Sequence, residues 1–325
     1  MKACVLHAVN DLRYEDMPDP VRKPGEVLIK IKASGICGSD IARVFEKGTY
    51  HFPTVPGHEF GGEIIGADDT ALLGKKCTVF PLIPCRMCEN CQIGQYAQCE
   101  DYNYFGSRCD GGFAELISVP VWNVAIAPDS LGYEEIAMTE PCAVALHSVE
   151  KADLGIGGRV CVFGGGPIGI MAAKWAAFKG ASEVSLIDID ERKSAFAAEL
   201  GFRTEIKGKY DAAIECSGSG AGYESAVTAA KAFGTVVLVG NPAREMTLSQ
   251  KGYWEILRKE LTVKGVWNSN YSSQINNWKT ALEFMSKLDI GCLVSHRFGF
   301  DRCAEAFSMI RERREYVSKV MFIQE

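Results

Sequence analysis

Short apolar runs separated by glycine, proline and polar residues fill the first part of the chain. Residues 26–31 and 113–119 are two such runs, each bounded by turn-forming residues. Runs of this length and composition are typical of β-strands. The pattern therefore predicts an irregular, mostly β region that extends to about residue 146.

Beyond residue 147 the spacing of apolar positions alternates between strand and helix periods. Strands are predicted at 160–163, 184–187, 212–215, 235–239 and 261–266, and helices at 168–179, 192–200, 223–232 and 254–259. Strands separated by helices indicate βαβ units and a parallel sheet. A helical stretch from about residue 273, the short segment 295–298 and a segment with helical spacing at 303–311 complete the chain.

These elements predict an α/β fold with two domains. An α/β domain with a parallel sheet is expected at 147–272, and a mostly β domain at 1–146 that closes with 273–325. The length of 325 residues and the 47% of hydrophobic residues fit two globular domains with sizeable cores.

Charge and terminal pattern exclude several classes of protein. With 35 basic and 41 acidic residues the net charge is −6, which does not suit a broad nucleic-acid-binding surface. The first residues lack a signal-peptide pattern, and no stretch approaches the ~20 apolar residues of a membrane span. A cytoplasmic protein is expected, with neither nucleic acid nor membrane as its partner.

A glycine-rich loop follows the first predicted strand of the parallel sheet. Residues 164–169 match G-x-G-x-x-G and lead into the helix that begins near Ile168. In this pattern Gly164 permits a tight turn, Gly166 lets the backbone approach a pyrophosphate, and Gly169 lets the helix pack closely. The helix N-terminus favours phosphate, so the segment predicts a dinucleotide site. A purely structural loop is the alternative.

An acidic residue closes the next predicted strand. Asp188 lies about twenty residues beyond the loop, where a carboxylate can accept hydrogen bonds from ribose hydroxyls. Its charge disfavours a 2′-phosphate and predicts NAD over NADP. Arg192 lies nearby as a further cofactor contact and weakens that preference.

Thirteen cysteines are unusual for an acidic chain of this size. Four of them form Cys85-x-x-Cys88-x-x-Cys91 followed by Cys99. Four thiolates fill a tetrahedral zinc shell and mark a structural site. The polar segment between them has little apolar pattern, so a metal would supply its order. An iron–sulfur cluster and four unrelated thiols are the alternatives.

Other chelating residues are scattered. Cys37 stands in Cys37-Gly38-Ser39-Asp40, His58 and Glu59 follow a glycine, and Glu140 precedes a proline. Each alone is more often structural. Together they combine soft, borderline and hard ligands, which suits a zinc ion with an open coordination position.

In this order, these motifs resemble those of the zinc-dependent medium-chain dehydrogenases, over nearly the whole chain. Glu140 stands where alcohol dehydrogenases proper place a cysteine, which resembles the polyol dehydrogenase branch. The resemblance implies a GroES-like catalytic domain, a Rossmann domain and two zinc ions per subunit. It implies a catalytic zinc held by Cys37, His58 and an acid. Glu140 is the expected third ligand, and Glu59 lies beside the metal, which leaves open which of the two binds at rest.

The resemblance also implies a reaction. Zinc would act as a Lewis acid on a secondary alcohol, Ser39 would pass the proton outward, and NAD would accept the hydride. Ala42 replaces the relay histidine of several relatives, so the outward proton route is open. A phosphorylated polyol is the expected substrate, and Arg43, Lys47 and Arg108 are candidates for its phosphate, with solvated surface charge as the alternative for each.

Other functions remain possible at this level. A free polyol such as sorbitol or xylitol, and threonine, are alternative substrates. A non-catalytic nucleotide-binding relative disagrees with the complete set of chelating residues, and a zinc-ribbon interaction module disagrees with the glycine loop. An exposed edge at 261–266 would favour a homodimer or homotetramer.

Overall fold

The fold contains one parallel sheet and one mostly antiparallel sheet. The computed structural model describes residues 1–312 and 314–324 of the chain. Over these residues the strands are β1 (Lys2–Ala8), β2 (Asp11–Asp16), β3 (Glu26–Gly35), β4 (Glu59–Gly66), β5 (Lys76–Val79), β6 (Leu82–Ile83), β7 (Asn103–Tyr104), β8 (Leu116–Pro120), β9 (Val124–Ile126), β10 (Arg159–Phe163), β11 (Glu183–Ile187), β12 (Tyr210–Glu215), β13 (Ala230–Leu238), β14 (Thr262–Gly265), β15 (Val294–Phe298) and β16 (Lys319–Ile323).

The α-helices lie mostly in the second half of the chain. They are α1 (Gly38–Ala42), α2 (Glu89–Gln92), α3 (Tyr133–Ala137), α4 (Thr139–Lys151), α5 (Pro167–Phe178), α6 (Glu191–Glu199), α7 (Gly220–Ala229), α8 (Gln250–Lys259), α9 (Asn277–Leu288) and α10 (Cys303–Glu312). A π-helix at Arg43–Lys47 continues directly from α1.

The chain divides into two compact units, one formed by Met1–Glu140 with Asn270–Glu325 and the other by Pro141–Ser269. The second unit contains a five-stranded parallel sheet in the order β11-β10-β12-β13-β14. In such a sheet ligands bind where the strand order reverses, which here lies at the carboxyl ends of β10 and β12. Apolar residues such as Phe163 and Val236 form its core.

The first unit contains a seven-stranded sheet. Its order is β15-β16-β3-β4-β5-β9, with β8 also paired to β3, and only the β15–β16 pair is parallel. A core that includes Phe60, Phe113 and Phe322 packs against it. The α/β class predicted from the sequence, with one parallel-sheet part and one mostly β part, is confirmed.

Several predicted element boundaries differ from the structure, and two of the differences have a clear physical reason. The helix predicted at 223–232 ends at Ala229, because Ala230 already pairs with Tyr210 as the start of β13. Strand pairing here overrides the helix propensity of alanine. The strand predicted at 113–119 begins at Leu116, while Phe113 accepts a hydrogen bond from Cys4 as part of a loop. Over the described residues, no helix is long and apolar enough to span a bilayer.

Candidate active site and metal centres

The register of three neighbouring strands brings distant residues to one edge of the first unit's sheet. Gly35 at the end of β3 pairs with Glu59 in β4 and with Met321 in β16. Cys37 follows β3, His58 precedes β4, and Lys319 begins β16. Antiparallel pairing on both sides of β3 therefore collects side chains that are far apart in the sequence.

One group of chelating residues lies at this edge. Single ligand atoms of Cys37, His58 and Glu59 all lie within 4.8 Å of one another. His58 is delivered by Gly57, whose φ of +95° is a conformation that favours glycine and whose added Cβ would clash with the ring of Phe113. This group is the one that the sequence motifs predict as the start of a catalytic metal site.

The carboxylate of Asp40 contacts two members of this group, Cys37 and His58. Its Oδ2 accepts a hydrogen bond from the backbone N–H of Cys37 at 3.0 Å, and its Oδ1 lies 3.3 Å from His58 Nδ1. The His58 Nδ1 contact lacks hydrogen-bond alignment, so this buried atom has no hydrogen-bond partner among the described residues. A carboxylate behind a ligating histidine is the usual arrangement in zinc sites. The sequence motif contains Asp40, but spacing alone did not predict its position.

The electrostatics at the edge favour a cation. Burial alone would lower the pKa of His58, but the negative charges of Asp40 and Cys37 raise it well above its usual value. The same negative charges would favour a bound cation at this place, which competes with the proton of His58.

Lys319 is a residue that the sequence reasoning missed. Its Nζ donates to Glu59 Oε2 at 2.6 Å and to the carbonyl of Ile36 at 3.2 Å, and the Lys319 and Glu59 side chains are 4% and 2% exposed. Burial would lower the pKa of Lys319, but the Glu59 charge raises it above its ordinary value. The one signal in the sequence was a lysine that opens an apolar strand, since a buried lysine needs a buried acid.

Glu140 is buried in the same part of the unit but lies outside the group of Cys37, His58 and Glu59. Burial raises the pKa of Glu140 to about 7, and the neighbouring charge of Glu59 adds to the rise while His58 opposes it. The structure therefore places Glu59, rather than Glu140, in the group of chelating residues. Glu140 lies close enough for its charge to interact with those of Glu59 and His58.

The donor set fits zinc. Thiolate, imidazole and carboxylate together suit Zn²⁺, and three protein ligands leave room for a substrate oxygen.

A second metal group forms a small lobe. Cys85, Cys88, Cys91 and Cys99 place their sulfur atoms within 4.8 Å of one another. The Sγ–Sγ distances are 3.9 Å for Cys85–Cys91 and 4.0 Å for Cys88–Cys99. A tetrahedron with zinc–sulfur bonds of ~2.3 Å has edges of ~3.8 Å, so this group also fits zinc.

Backbone N–H groups prepare these thiols for metal binding. The N–H groups of Met87 and Cys88 donate to Cys85 Sγ and lower the pKa of that thiol to about 6. The N–H of Cys85 donates to Cys99 Sγ at 3.2 Å, whereas burial raises the pKa of Cys91 and Cys99. Because the thiolate is the metal ligand, the N–H contacts support a Cys₄ site.

The glycine loop lies in the second unit, between β10 and α5. Gly164 has a φ of +108°, and a Cβ on Gly169 would overlap the carbonyl oxygen of Gly164. Gly166 is the N-cap of α5 and faces open space, and Ile168 lies in the first turn. The loop thus has a tight turn, close helix packing and an accessible helix N-terminus, which is the geometry a pyrophosphate requires.

Asp188 follows the end of β11 and holds this loop. Its Oδ2 accepts from the N–H of Gly165 at 2.7 Å and its Oδ1 from the N–H of Asp190 at 2.8 Å. Arg192 donates from Nε and Nη2 to Asp190 at 3.0 and 2.8 Å. The guanidinium of Arg192 is therefore already bound to a carboxylate.

Arg43 and Arg108, two of the three candidate phosphate ligands, have different surroundings. Arg43 Nη1 donates to Ser39 Oγ at 2.9 Å and to Asp40 Oδ1 at 3.0 Å. The guanidinium carbon of Arg108 lies 4.3 Å from the ring centroid of Tyr50 and 4.5 Å from that of Tyr102. Both tyrosines are further residues that the sequence reasoning missed.

Comparisons with known proteins agree with this geometry. Residues 23–129 match the alcohol dehydrogenase GroES-like domain, and residues 167–287 match the zinc-binding dehydrogenase family. Galactitol 1-phosphate 5-dehydrogenase of Escherichia coli (strain K12) is 35% identical, with 99% of this chain and 100% of that protein covered. Sorbitol dehydrogenase of Bombyx mori is 30% identical, with 95% of each covered.

A solved structure gives the same result. The crystal structure of galactitol-1-phosphate dehydrogenase from Escherichia coli superposes with a TM-score of 0.92 at 33% identity, with 100% of both chains covered. The expected zinc and nicotinamide cofactors, the GroES-like domain and the Rossmann domain are confirmed at the level of the family. The chain therefore belongs to the zinc-dependent medium-chain dehydrogenase/reductase family and is an NAD(P)-dependent oxidoreductase of the polyol and alcohol dehydrogenase class.

Proposed function

We propose that this chain oxidises a secondary alcohol of a polyol phosphate, such as galactitol 1-phosphate, to a keto-sugar phosphate with NAD as hydride acceptor. The observation that supports a phosphorylated substrate is Arg108, whose guanidinium lies over two aromatic rings. Identity of 35% over the full length to a galactitol 1-phosphate 5-dehydrogenase supports the same substrate class. A free polyol is the second candidate, because a sorbitol dehydrogenase is 30% identical.

The environment of Arg108 suits a phosphate. The guanidinium of Arg108 lies over the rings of Tyr50 and Tyr102, and its N–H groups have the geometry to donate bidentate hydrogen bonds to a phosphate. Within the part of the chain that the structure describes, no carboxylate forms an ion pair with Arg108. The ring of Tyr102 lies 6.5 Å from that of Tyr104, which lies 5.7 Å from the ring of His58. A row of rings thus connects Arg108 with the candidate metal ligands.

The surroundings of the ribose site favour NAD. Asp188 presents a carboxylate, and Lys193 Nζ lies 3.5 Å from its Oδ2. Arg192 is bound to Asp190. The nearby cations are therefore paired with carboxylates, and a 2′-phosphate would meet negative charge.

The roles of this chain's residues follow. Cys37, His58 and one of the acids Glu59 and Glu140 would hold the zinc, which supplies Lewis-acid polarisation of the alcohol oxygen when bound. The Ser39 hydroxyl would take the alcohol proton while its own proton passes to water. Arg108 would orient the far end of the substrate. Cys85, Cys88, Cys91 and Cys99 would hold the structural zinc.

The test compares reduced cofactor formation with galactitol 1-phosphate, galactitol, sorbitol and threonine, each with NAD and with NADP. The proposal expects the highest kcat/KM with galactitol 1-phosphate and NAD. Equal kcat/KM for galactitol 1-phosphate and galactitol would refute the phosphate site. A higher kcat/KM with NADP would refute the cofactor assignment.

Arg108→Gln should weaken binding of the phosphorylated substrate selectively. Hydrogen bonds to a charged group contribute about 1.5–3 kcal/mol, so KM for galactitol 1-phosphate should rise about 10- to 150-fold. The kcat/KM for free galactitol should change by less than about twofold, because the free polyol lacks the anion that Arg108 binds. Steady-state kinetics on both substrates measure the two effects.

Arg302→Gln is the matched control for this variant. Arg302 also lies over an aromatic ring, 4.8 Å from the centroid of Phe298, and pairs with Glu305. Its loss should leave both KM values unchanged. Equal increases of KM for phosphorylated and free galactitol in Arg108→Gln would show that Arg108 has a general structural role instead.

We also propose a homo-oligomer formed through β14. This strand is at the edge of the five-stranded sheet, and Val263 and the following Trp267 are 38% and 54% exposed. An edge strand leaves backbone N–H and C=O groups that can pair with the same strand of a second chain. Light scattering should give two or four times the chain mass of 35.5 kDa, and a monomer would contradict the proposal.

A further inference from the structure

Arg43 forms hydrogen bonds to both Ser39, the candidate proton carrier, and Asp40, which contacts the candidate metal ligands. It begins the π-helix that follows α1, and its side chain is 21% exposed. One nitrogen, Nη1, donates both to Ser39 Oγ at 2.9 Å and to Asp40 Oδ1 at 3.0 Å. These two bonds use both hydrogens of Nη1, so this nitrogen has no hydrogen left for a substrate phosphate.

The chemistry of the guanidinium determines what Ser39 can do. Arginine only donates hydrogen bonds and keeps its protons in proteins. Ser39 Oγ must therefore accept in this bond, which leaves its own O–H to donate in another direction and one lone pair for the alcohol proton. Ala42 has no polar side chain, so neither residue 42 nor residue 43 can receive the proton that Ser39 releases.

The second bond extends the effect to the metal ligands. Asp40 is fully buried, and its Oδ1 lies between Arg43 Nη1 at 3.0 Å and His58 Nδ1 at 3.3 Å. The other oxygen accepts from the N–H of Cys37. Arg43 therefore holds the carboxylate that faces both His58 and the Cys37 turn.

We propose that Arg43 is a positioning residue for the oxidation, which fixes the Ser39 hydroxyl and the Asp40 carboxylate, and that it is not the ligand of the substrate phosphate. The inference rests on the proposed alcohol oxidation. It assigns the phosphate contact to Arg108 and gives Arg43 a role that does not depend on whether the substrate is phosphorylated.

Arg43→Gln and Arg43→Lys test the proposal in the zinc-loaded enzyme, with galactitol 1-phosphate and galactitol as substrates. Arg43→Gln should lower kcat for both substrates by the same factor, about 10- to 100-fold, as expected when a group that orients ligating residues is lost. The ratio of the two kcat/KM values should stay as in the wild type. Arg43→Lys should recover part of the loss, since an ammonium can reach one of the two acceptors.

Two further readouts separate positioning from mere stability. The solvent deuterium isotope effect on kcat should increase in Arg43→Gln, because a poorly oriented Ser39 makes proton transfer slower. In a Ser39→Ala background, Arg43→Gln should cost less than it does alone, because the two residues then act as one unit. Additive losses in this cycle would contradict the role through Ser39.

The outcomes are distinguishable. An increase in KM for galactitol 1-phosphate alone, with kcat and the kinetics of galactitol unchanged, would overturn the proposal and make Arg43 the phosphate ligand. A wild-type enzyme that oxidises neither alcohol would refute the proposed function instead. If only galactitol is oxidised, the same loss of kcat is expected with galactitol. If Arg43→Gln does not fold, the kcat and isotope effect of Arg43→Lys decide.

Discussion

Cys99→Ser should release one zinc ion per chain and open the lobe at residues 85–99. The lobe has little apolar material of its own: α2 has four residues, and Met87 and Ile93 are 77% and 63% exposed. Metal binding supplies about 10–16 kcal/mol in isolated zinc-finger peptides. If the lobe loses only a tenth of this free energy, the population of its open form rises about tenfold.

Limited trypsin digestion measures this opening. Arg86 is exposed within the lobe, and its guanidinium carbon lies 4.5 Å from the ring centroid of Trp122. Cleavage after Arg86 should be at least about tenfold faster in Cys99→Ser. The emission of Trp122 should shift to longer wavelength, because its contacts with Arg86 and Tyr96 are lost.

Cys292→Ser provides the control for Cys99→Ser. Cys292 is an exposed thiol outside both metal groups, so its replacement should leave the zinc content and the cleavage rate unchanged. Equal zinc content in Cys99→Ser and the wild type would contradict the structural zinc site.

Lys319→Met should lower the free energy of unfolding by about 3–5 kcal/mol. Methionine has a similar length and removes only the ammonium, which leaves the Glu59 carboxylate buried without its partner. Lys319 and Glu59 are among the least exposed charged residues, and Lys319 Nζ lies 2.6 Å from Glu59 Oε2. Urea titration of the wild type and the variant measures the loss.

Two variants separate the charge effect from packing. Lys319→Arg keeps the cation and should lose less than Lys319→Met. The double variant Lys319→Met/Glu59→Gln removes both charges and should recover much of the loss, because no unpaired ion is then buried. A loss below about 1 kcal/mol in Lys319→Met would contradict a buried ion pair.

The pH dependence of this pair has a defined sign. The pKa of Lys319 in the folded chain is raised above its ordinary value of 10.5. A raised pKa of a cation means that its contribution to stability is complete below the unfolded value and is lost as the pH rises through the folded value. The difference in stability between the wild type and Lys319→Met should therefore be constant near neutral pH and shrink only in strongly alkaline solution.

Motifs and hydrophobic patterns predicted most of the features whose residues lie close together in the sequence. The spacing of Cys85, Cys88 and Cys91 places the three thiols in one lobe, because a few residues can reach only a small volume. The glycine loop is equally local, since its turn and helix start are set within six residues. The alternation of strands and helices also predicted the parallel sheet, although the helix before β13 was placed three residues too long.

Contacts between distant segments could not be predicted in this way. Lys319 and Glu59 are 260 residues apart and meet only because β16 and β4 both pair with β3. That Cys37 meets His58 and Glu59, with Glu140 outside that group, likewise depends on the pairing of β3 with β4. Tyr50 and Tyr102 around Arg108 belong to loops, and single-sequence patterns do not define how loops meet.

The most direct test of two distinct metal centres is the zinc content per chain, measured by native mass spectrometry on the wild type and on His58→Ala. We predict two zinc ions in the wild type, and one in His58→Ala with the oxidation of polyols lost. A single zinc ion in an active wild type, or two ions retained in His58→Ala at full activity, would contradict a catalytic zinc held at Cys37 and His58.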